Sequence, residues 1–346
     1  MAQEQLAGTY LFVGPQGVGK TALAIAFAQA AACVDPRSDP ADACGLCESC
    51  RRIATDTNRE VMRIGPAGDQ TQIWQFWDRE NKPRGALQHT ITYAPDIGRK
   101  RVYIIERADT LNASAANSLL KVLEEPPPYV LFLLLAPHPA RMLETILSRS
   151  QIIRLTPGPV EALAEHLCKT ERLDPIKARE FAAYAEGRTG SALRLHRQPL
   201  AWQEIDRALD MAETIPVSSP LGALRIAEAI RKQAAAMKAL SDDDSNGIVE
   251  GESGAKEKVG RKQLGIVLEL LIAFYRDLLA ISLNGPDTPI VHGDRRFKLA
   301  QLAANSGPSH WMACLDSLLT ARRRVDQNAG IPLLTEWLAM NLIIHR

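Results

Sequence analysis

The chain has 346 residues, of which 46% are hydrophobic. This length suggests two or three domains, and the apolar content excludes a wholly disordered protein. With 41 basic and 40 acidic residues, the formal net charge is +1. A protein that grips nucleic acid by itself usually has a basic excess, so we expect any DNA contact to be shared with partners or confined to a small patch. We see neither a secretory signal nor an apolar run of about 18 residues, and we expect a cytoplasmic protein without a membrane-spanning helix.

Short apolar runs alternate with helical patterns in the first part of the chain, which predicts a parallel α/β sheet. The predicted strands are 9–13, 61–64, 102–105, 130–135 and 152–155. Helices are predicted over 20–32 and 112–125, the second ending before three consecutive prolines. A further helix is predicted over 73–78. The segment 79–100 is predicted to be a loop that contains a short strand around 90–93.

The pattern changes after a Thr-Pro-Gly-Pro sequence at 156–159, and beyond it only helical periodicity remains. We therefore predict three domains: an α/β domain over 1–156, a small helical lid domain over 157–200, and an all-α C-terminal domain over 201–346. One segment of the last domain, 241–262, is rich in Asp, Ser, Gly, Glu and Lys, and is predicted to be a flexible surface loop.

The sequence GPQGVGKT, between the first predicted strand and the first predicted helix, fits the phosphate-binding P-loop pattern in full. Gly14, Gly17 and Gly19 would let backbone N–H groups converge on phosphate oxygens. Lys20 would reach the β- and γ-phosphates, and the Thr21 hydroxyl would ligate Mg²⁺. The motif predicts binding of ATP or ADP with Mg²⁺. The alternative is a glycine-rich turn without a ligand.

An acidic motif normally follows a second strand in P-loop ATPases, where one acid holds Mg²⁺ and a neighbour activates water. Glu106 can serve as the first acid. Arg107 stands in the place of the second, and a guanidinium cannot accept a proton at neutral pH. The chain should therefore hydrolyse ATP slowly or not at all. Two alternatives remain: Asp109 could act as the base, and Glu106 with Arg107 could form an ordinary surface ion pair.

Four cysteines crowd into the segment 33–50, which we interpret as an inserted metal module. Cys44, Cys47 and Cys50 follow a Cys-x2-Cys-x2-Cys spacing, and Cys33 precedes them. Four thiolates suit tetrahedral Zn²⁺, and a closed site of this kind is structural. An iron–sulfur cluster also takes four cysteines, so it is the main alternative metal centre, and a cluster without metal is the other alternative.

These motifs together resemble the bacterial DNA polymerase III clamp-loader subunits, gamma/tau and delta-prime, of the AAA+ superfamily. The resemblance covers residues 8–195. It rests on TYLFVGPQGVGKTALA, the inserted CGLCESC, the run NASAANSLLKVLEEPP and the run TILSRS. It implies an AAA+ P-loop domain that carries the zinc module, a lid domain, and a C-terminal collar that holds a pentamer together.

The resemblance also implies roles for individual residues. Arg149, in TILSRS, corresponds to an arginine finger that reaches the ATP bound by a neighbouring subunit. A solvated arginine at a helix end is the alternative. Arg194, in GSALR, corresponds to a second sensor that faces the chain's own nucleotide. The place of the first sensor reads Ala-Pro-His at 136–138, so that sensor looks lost.

A retained finger beside two degraded catalytic features favours the delta-prime type. The resemblance then implies a stator that packs with gamma/tau and delta in a hetero-pentamer and helps the ATP-driven loading of the sliding clamp onto primed DNA. Such a chain belongs to the polymerase III holoenzyme while being itself a weak or inactive ATPase. A catalytically active gamma/tau-type ATPase is the alternative. A P-loop kinase is disfavoured by the cysteines and by the LLKVLEEPP run.

Overall fold

The computed structural model describes residues 6–35, 42–55, 57–67, 70–79, 85–218, 220–237 and 252–344. These residues divide into two compact units. The first contains the described residues of Met1–Gly158 together with Arg188–Gly190, and the second contains those of Pro159–Gly187 and Ser191–Arg346. The division separates the α/β part of the chain from the helical part.

Within the described residues, the first unit contains a five-stranded sheet in which every pairing is parallel. The strands are β1 (Thr9–Val13), β2 (Val61–Ile64), β3 (Arg101–Ile105), β4 (Val130–Ala136) and β5 (Gln151–Arg154). Their order in the sheet is β2-β3-β4-β1-β5. Because parallel strands place their carboxyl ends at one edge, the segments that follow β1, β3 and β4 share that edge, where α/β proteins bind ligands.

All residues of β1, β3 and β4 are buried, which fits a sheet covered on both faces. Successive side chains of a strand point to opposite faces. Tyr10 and Phe12 therefore lie in the core that helix α1 (Lys20–Ala32) covers, and Leu11 and Val13 lie in the core of the other face. The other helices of this unit are α2 (Glu48–Ala54), α3 (Ala113–Glu124) and α4 (Glu144–Leu147).

Helix α3 carries most of the NASAANSLLKVLEEPP run. It begins where the side chain of Asn112 accepts a hydrogen bond from the Ala115 backbone N–H, 2.8 Å away, as an N-cap residue does. Leu119 and Leu123, one turn apart, are buried against the sheet. The helix ends at Glu124, two residues before the prolines. The cap and the prolines thus fix both ends of α3.

Among the described residues of the second unit, the regular elements are all helices, and the buried side chains form one continuous apolar core. The helices after β5 are α5 (Val160–Glu171), α6 (Pro175–Tyr184), α7 (Thr189–Arg197), α8 (Pro199–Thr214), α9 (Ala223–Ala236), α10 (Glu252–Asn284), α11 (Arg296–Ala303), α12 (Pro308–Asp326) and α13 (Ile331–Ile344). The first two residues of α7 belong to the first unit. In the described ranges, no helix is both long enough and apolar enough to cross a membrane. The boundary between a lid and a C-terminal domain stays a prediction.

The α/β P-loop architecture and the helical remainder are confirmed, but three local expectations differ from the structure. The predicted helix over 73–78 is a single 3₁₀ turn, Ile73–Gln75. The predicted loop over 241–262 is helical from Glu252 onward, because Lys, Glu and Arg at 256–262 favour helix; residues 241–251 lie outside the described ranges.

The third difference is the strand predicted around 90–93, which is a series of turns instead. The backbone N–H of Ile91 donates to the carbonyl oxygen of Leu87 at 3.0 Å, as in a helical turn. The carbonyl oxygens of Thr90 and Tyr93 accept hydrogen bonds from the guanidinium of Arg101. A side chain thus occupies acceptors that a strand would offer to a neighbouring strand.

Candidate functional site

The phosphate loop joins β1 to α1, and its glycines are required by its shape. A Cβ on Gly14 would lie 2.4 Å from the carbonyl oxygen of Leu155, a distance too short for a Cβ atom and a neighbouring oxygen. Gly17 and Gly19 have φ angles of 78° and 109°, in the region that favours glycine. Gly19 caps α1, so the loop leads directly into a helix N-terminus, where backbone N–H groups favour anions.

Lys20 is held against the loop that it follows. Its Nζ donates to the carbonyl oxygens of Gly14 and Pro15, 2.7 and 2.9 Å away. Burial lowers the pKa of the Lys20 ammonium, and the negative charge of Asp109 acts in the opposite direction. Phosphate oxygens at this loop would compete with two neutral carbonyls for the ammonium. Thr21 is half-buried in the first turn of α1, beside Lys20.

The carboxylate of Glu106, directly after β3, is engaged by a cation. The Nε and Nη2 atoms of Arg63, on the adjacent strand β2, both donate to Glu106 Oε1, at 2.9 and 2.7 Å. The ion-pair partner of Glu106 is therefore Arg63, whereas the sequence suggested Arg107. Arg107 is exposed and has a φ of 49°. The pairing of two neighbouring strands, with a cation near the end of β2, was the signal that sequence inspection missed.

Two further positions at this edge of the sheet bear on hydrolysis. Asp109 has an Oδ1 atom that is buried and makes no hydrogen bond to the described part of the chain. Its charge acts on Lys20. The backbone N–H of Gly14 donates to the carbonyl oxygen of Ala136 at 3.3 Å, so the end of β4 lies beside the phosphate loop and carries an apolar side chain there.

The GSALR segment at 190–194, which we call the predicted second-sensor run, begins in the first unit and continues in the second. The backbone N–H of Gly190 donates to the carbonyl oxygen of Gly17 at 2.8 Å, inside the first unit. Arg194 is half-buried on α7 and belongs to the second unit. Its predicted role toward the nucleotide stays a prediction.

The cysteine cluster lies between the end of α1 and the start of α2. The Sγ atoms of Cys33, Cys44, Cys47 and Cys50 all lie within 4.8 Å of one another. Four sulfurs around one Zn²⁺, each about 2.3 Å from it, would be about 3.8 Å apart. The donor set and its spacing therefore fit a four-thiolate metal centre. Gly45, with a φ of 67°, provides the turn between the first two ligands of the motif.

Backbone N–H groups surround these sulfurs, and they shift the pKa values of the thiols. Hydrogen bonds from the backbone N–H groups of Cys47 and Leu46 lower the pKa of Cys44. Burial acts to raise the pKa of Cys47, but N–H donors from Cys50 and Val34, together with hydrogen bonds from neighbouring thiols, lower it to about 6. Burial is the main cause that raises the pKa of Cys50. The thiols of the cluster thus differ in acidity. A bound dication would favour the deprotonated, thiolate form of all four.

Arg149 lies two residues after the end of α4, at the surface of the first unit, and its side chain is 33% exposed. Its Nη1 donates to the carbonyl oxygen of Thr145 at 2.9 Å and to Ser148 Oγ at 3.3 Å. Its Nη2 lies 2.6 Å from Glu124 Oε1, at the end of α3. The guanidinium is thus accessible and tethered, where the sequence suggested either a finger or a solvated helix-end arginine. The partner Glu124 was not predicted, although it lies in the LLKVLEEPP run that we singled out.

Comparison with known proteins extends these observations to most of the chain. Residues 1–159 match the family model described as DNA polymerase III, delta subunit. The chain is 26% identical over 340 residues to DNA polymerase III subunit delta' of Bacillus subtilis, covering 98% of this chain and 92% of that protein. It is 35% identical over 196 residues to subunit delta' of Pseudomonas aeruginosa, covering 56% and 57%.

A tau subunit also matches, but over a smaller part of its length. The chain is 34% identical over 220 residues to DNA polymerase III subunit tau of Escherichia coli, covering 62% of this chain and 32% of that protein. The chain therefore spans only about a third of this tau subunit, whereas it spans nearly all of the Bacillus delta' protein. The family match over residues 1–159 and the similarity to a delta' subunit over nearly the whole chain thus support a DNA polymerase III clamp-loader subunit of the delta-prime type.

Proposed function

We propose that this subunit is a stator of the clamp loader, which lends Arg149 to an ATP site on a neighbouring subunit. One observation carries the proposal: an accessible guanidinium is held in place at the surface, while the position after Glu106 at the chain's own site is occupied by Arg107. A finger of this kind stabilises the charge that develops on the transferred phosphoryl group. Arg107 cannot act as a base.

The chain's own phosphate loop would hold ATP or ADP with Mg²⁺. Lys20 would exchange its bonds to the loop carbonyls for phosphate oxygens, and Thr21 would contribute its hydroxyl to the metal. Glu106 would have to share its carboxylate with Arg63, which disfavours it as a metal ligand. We therefore propose binding with little turnover at this site.

The four cysteines would hold one structural Zn²⁺. A site closed by four thiolates has no open position for water, so its contribution would be to folding rather than chemistry. Cys33 is the residue that follows α1, and Cys47 caps α2. A metal bound here would therefore tie the end of the helix that follows the phosphate loop to the inserted module.

The partners follow from the proposed family role. The relatives that the chain matches are named as delta' and tau subunits of DNA polymerase III. We propose that the chain assembles with gamma/tau and delta subunits in a hetero-pentamer. Through that complex it would act on the sliding clamp and on primed DNA. The near-neutral charge of the chain supports DNA contact through the assembly rather than by this subunit alone.

A reconstituted loader tests the finger role. Arg149→Ala should leave assembly with gamma/tau and delta intact and slow ATP hydrolysis by the complex, because one ATP site would lack its cation. Arg179→Ala is the matched control, since Arg179 is also an exposed arginine beside a carboxylate, Glu161 at 3.8 Å. An unchanged rate for Arg149→Ala in a fully assembled complex would reject the finger role.

Asp109 favours a second candidate function, an autonomous ATPase of the gamma/tau type. Its buried Oδ1 makes no hydrogen bond to the described residues, and its charge acts on Lys20. A carboxylate in that position could serve as the base that Arg107 cannot be. Rapid turnover by the isolated chain, lost in Asp109→Asn and unaffected by Arg107→Glu, would support this function over the stator.

A further inference from the structure

We infer that Glu124 is a positioning residue for the arginine finger, holding the guanidinium of Arg149 in the orientation in which it meets the neighbouring nucleotide. The inference rests on the proposed function, because Arg149 must act in trans for its orientation to matter.

Two elements of the first unit hold the guanidinium at the same time. Helix α3 supplies the Glu124 carboxylate, 2.6 Å from Nη2, and α4 supplies the carbonyl oxygen of Thr145, 2.9 Å from Nη1. A planar guanidinium bonded through both terminal nitrogens to two fixed elements cannot rotate freely. The orientation of the Arg149 head group is therefore set by Glu124 and Thr145 together.

The position of Glu124 in its helix indicates that its charge is used locally. It is the last residue of α3, where the helix dipole disfavours a carboxylate. Cations at this end offset that penalty: Lys121 lies in the last turn of α3, and Arg149 pairs directly with the Glu124 carboxylate. The side chains of Arg149 and Glu124 are 33% and 49% exposed, so the pair contributes little to stability. We therefore expect the Arg149–Glu124 pair to affect the placement of the guanidinium rather than the stability of the fold.

The pair leaves donors for a phosphate. A guanidinium has several N–H groups, and the bonds to Glu124, Thr145 and Ser148 use only Nη1 and Nη2. The Nε–H of Arg149 makes no hydrogen bond within the described ranges, so it can meet a neighbouring phosphate while Glu124 stays bound. A cation held in place before the reaction costs less reorganisation when the charge develops.

The test uses ATP hydrolysis by the reconstituted loader with Glu124→Gln, which keeps the size of the side chain and removes its charge. We expect kcat at the affected site to fall by about 10- to 100-fold, as misplaced catalytic groups cost, with KM for ATP unchanged. Glu125→Gln is the matched control. Glu125 is the exposed neighbour of Glu124, and the hydrogen bonds of Arg149 to described residues go to Glu124, Thr145 and Ser148 instead, so Glu125→Gln should leave kcat unchanged.

A double-mutant cycle separates positioning from a general structural effect. In an Arg149→Ala background, Glu124→Gln should cause no further loss, because the side chain it positions is absent. An equal loss in both backgrounds, or failure of the Glu124→Gln chain to assemble, would overturn the positioning role. If Arg149→Ala slows hydrolysis and Glu124→Gln does not, the positioning role is wrong and the finger stands. If neither variant slows it, the proposed function fails as well.

Discussion

The backbone N–H of Gly190 donates to the carbonyl oxygen of Gly17 at 2.8 Å, so the second-sensor run begins in direct contact with the phosphate loop. The contact lies inside the first unit, although the rest of that run, including Arg194, belongs to the second. Gly17 has a φ of 78°, and its carbonyl orientation is part of the loop shape that would receive a phosphate. The backbone position of the phosphate loop and that of the start of the second-sensor run therefore depend on each other.

Gly190→Ala tests this dependence. A Cβ at position 190 would lie 2.9 Å from the carbonyl oxygen of Gly17, so either the loop or the start of α7 must shift. We expect weaker binding of an ATP analogue, with a cost of about 1–3 kcal/mol, typical of overpacking. Gly293→Ala is the control, because a Cβ there meets no atom within 4 Å. Equal affinities for Gly190→Ala and the unmodified chain would show that the contact has no influence on nucleotide binding.

The cysteine cluster predicts about one zinc per chain in the purified protein. Cys44→Ser should lose the metal and lower the melting temperature, because a structural metal contributes to folding. Cys168→Ser, at a half-buried cysteine on α5 outside the cluster, should keep the metal. Elemental analysis and thermal unfolding measure the two effects. Metal-free protein of unchanged stability would reject the site, and iron in place of zinc would favour the alternative cluster.

A buried ion pair anchors the first residue of β3. The guanidinium of Arg101 lies 2.6 Å from Glu60 Oε2, and the two side chains are only 7% and 6% exposed. Glu60→Gln should lower the free energy of unfolding by about 3–5 kcal/mol, because it leaves a buried charge without its partner. The exposed pair of Glu48 and Arg52, one helical turn apart, is the comparison.

Glu48→Gln should cost only about 0.3–0.5 kcal/mol, as expected for an exposed pair at this spacing. Urea unfolding of both variants gives the two free energies. Similar values for Glu60→Gln and Glu48→Gln would mean that burial of the Arg101 pair adds nothing to stability.

The sequence predicted those parts of the fold and the site that depend on local patterns. The apolar runs predicted all five strands of the sheet, and the glycine spacing predicted the phosphate loop, because both signals lie in consecutive residues. The contact of Arg63 with Glu106 and that of Arg149 with Glu124 were missed, since each joins residues that are far apart in the chain. The strand expected around 90–93 was wrong because a buried side chain, Arg101, occupies the backbone acceptors.

We propose that this subunit contributes Arg149 to the ATP site of a neighbouring subunit and that its own nucleotide site contributes little to hydrolysis. The decisive measurement is ATP hydrolysis by the reconstituted loader, compared between Arg149→Ala and Lys20→Ala in this subunit. We expect Arg149→Ala to slow the site it completes by about 10³-fold or more, as removal of a finger does, and Lys20→Ala to leave the rate nearly unchanged. A large loss for Lys20→Ala together with an unchanged rate for Arg149→Ala would show that the subunit acts through its own nucleotide site instead.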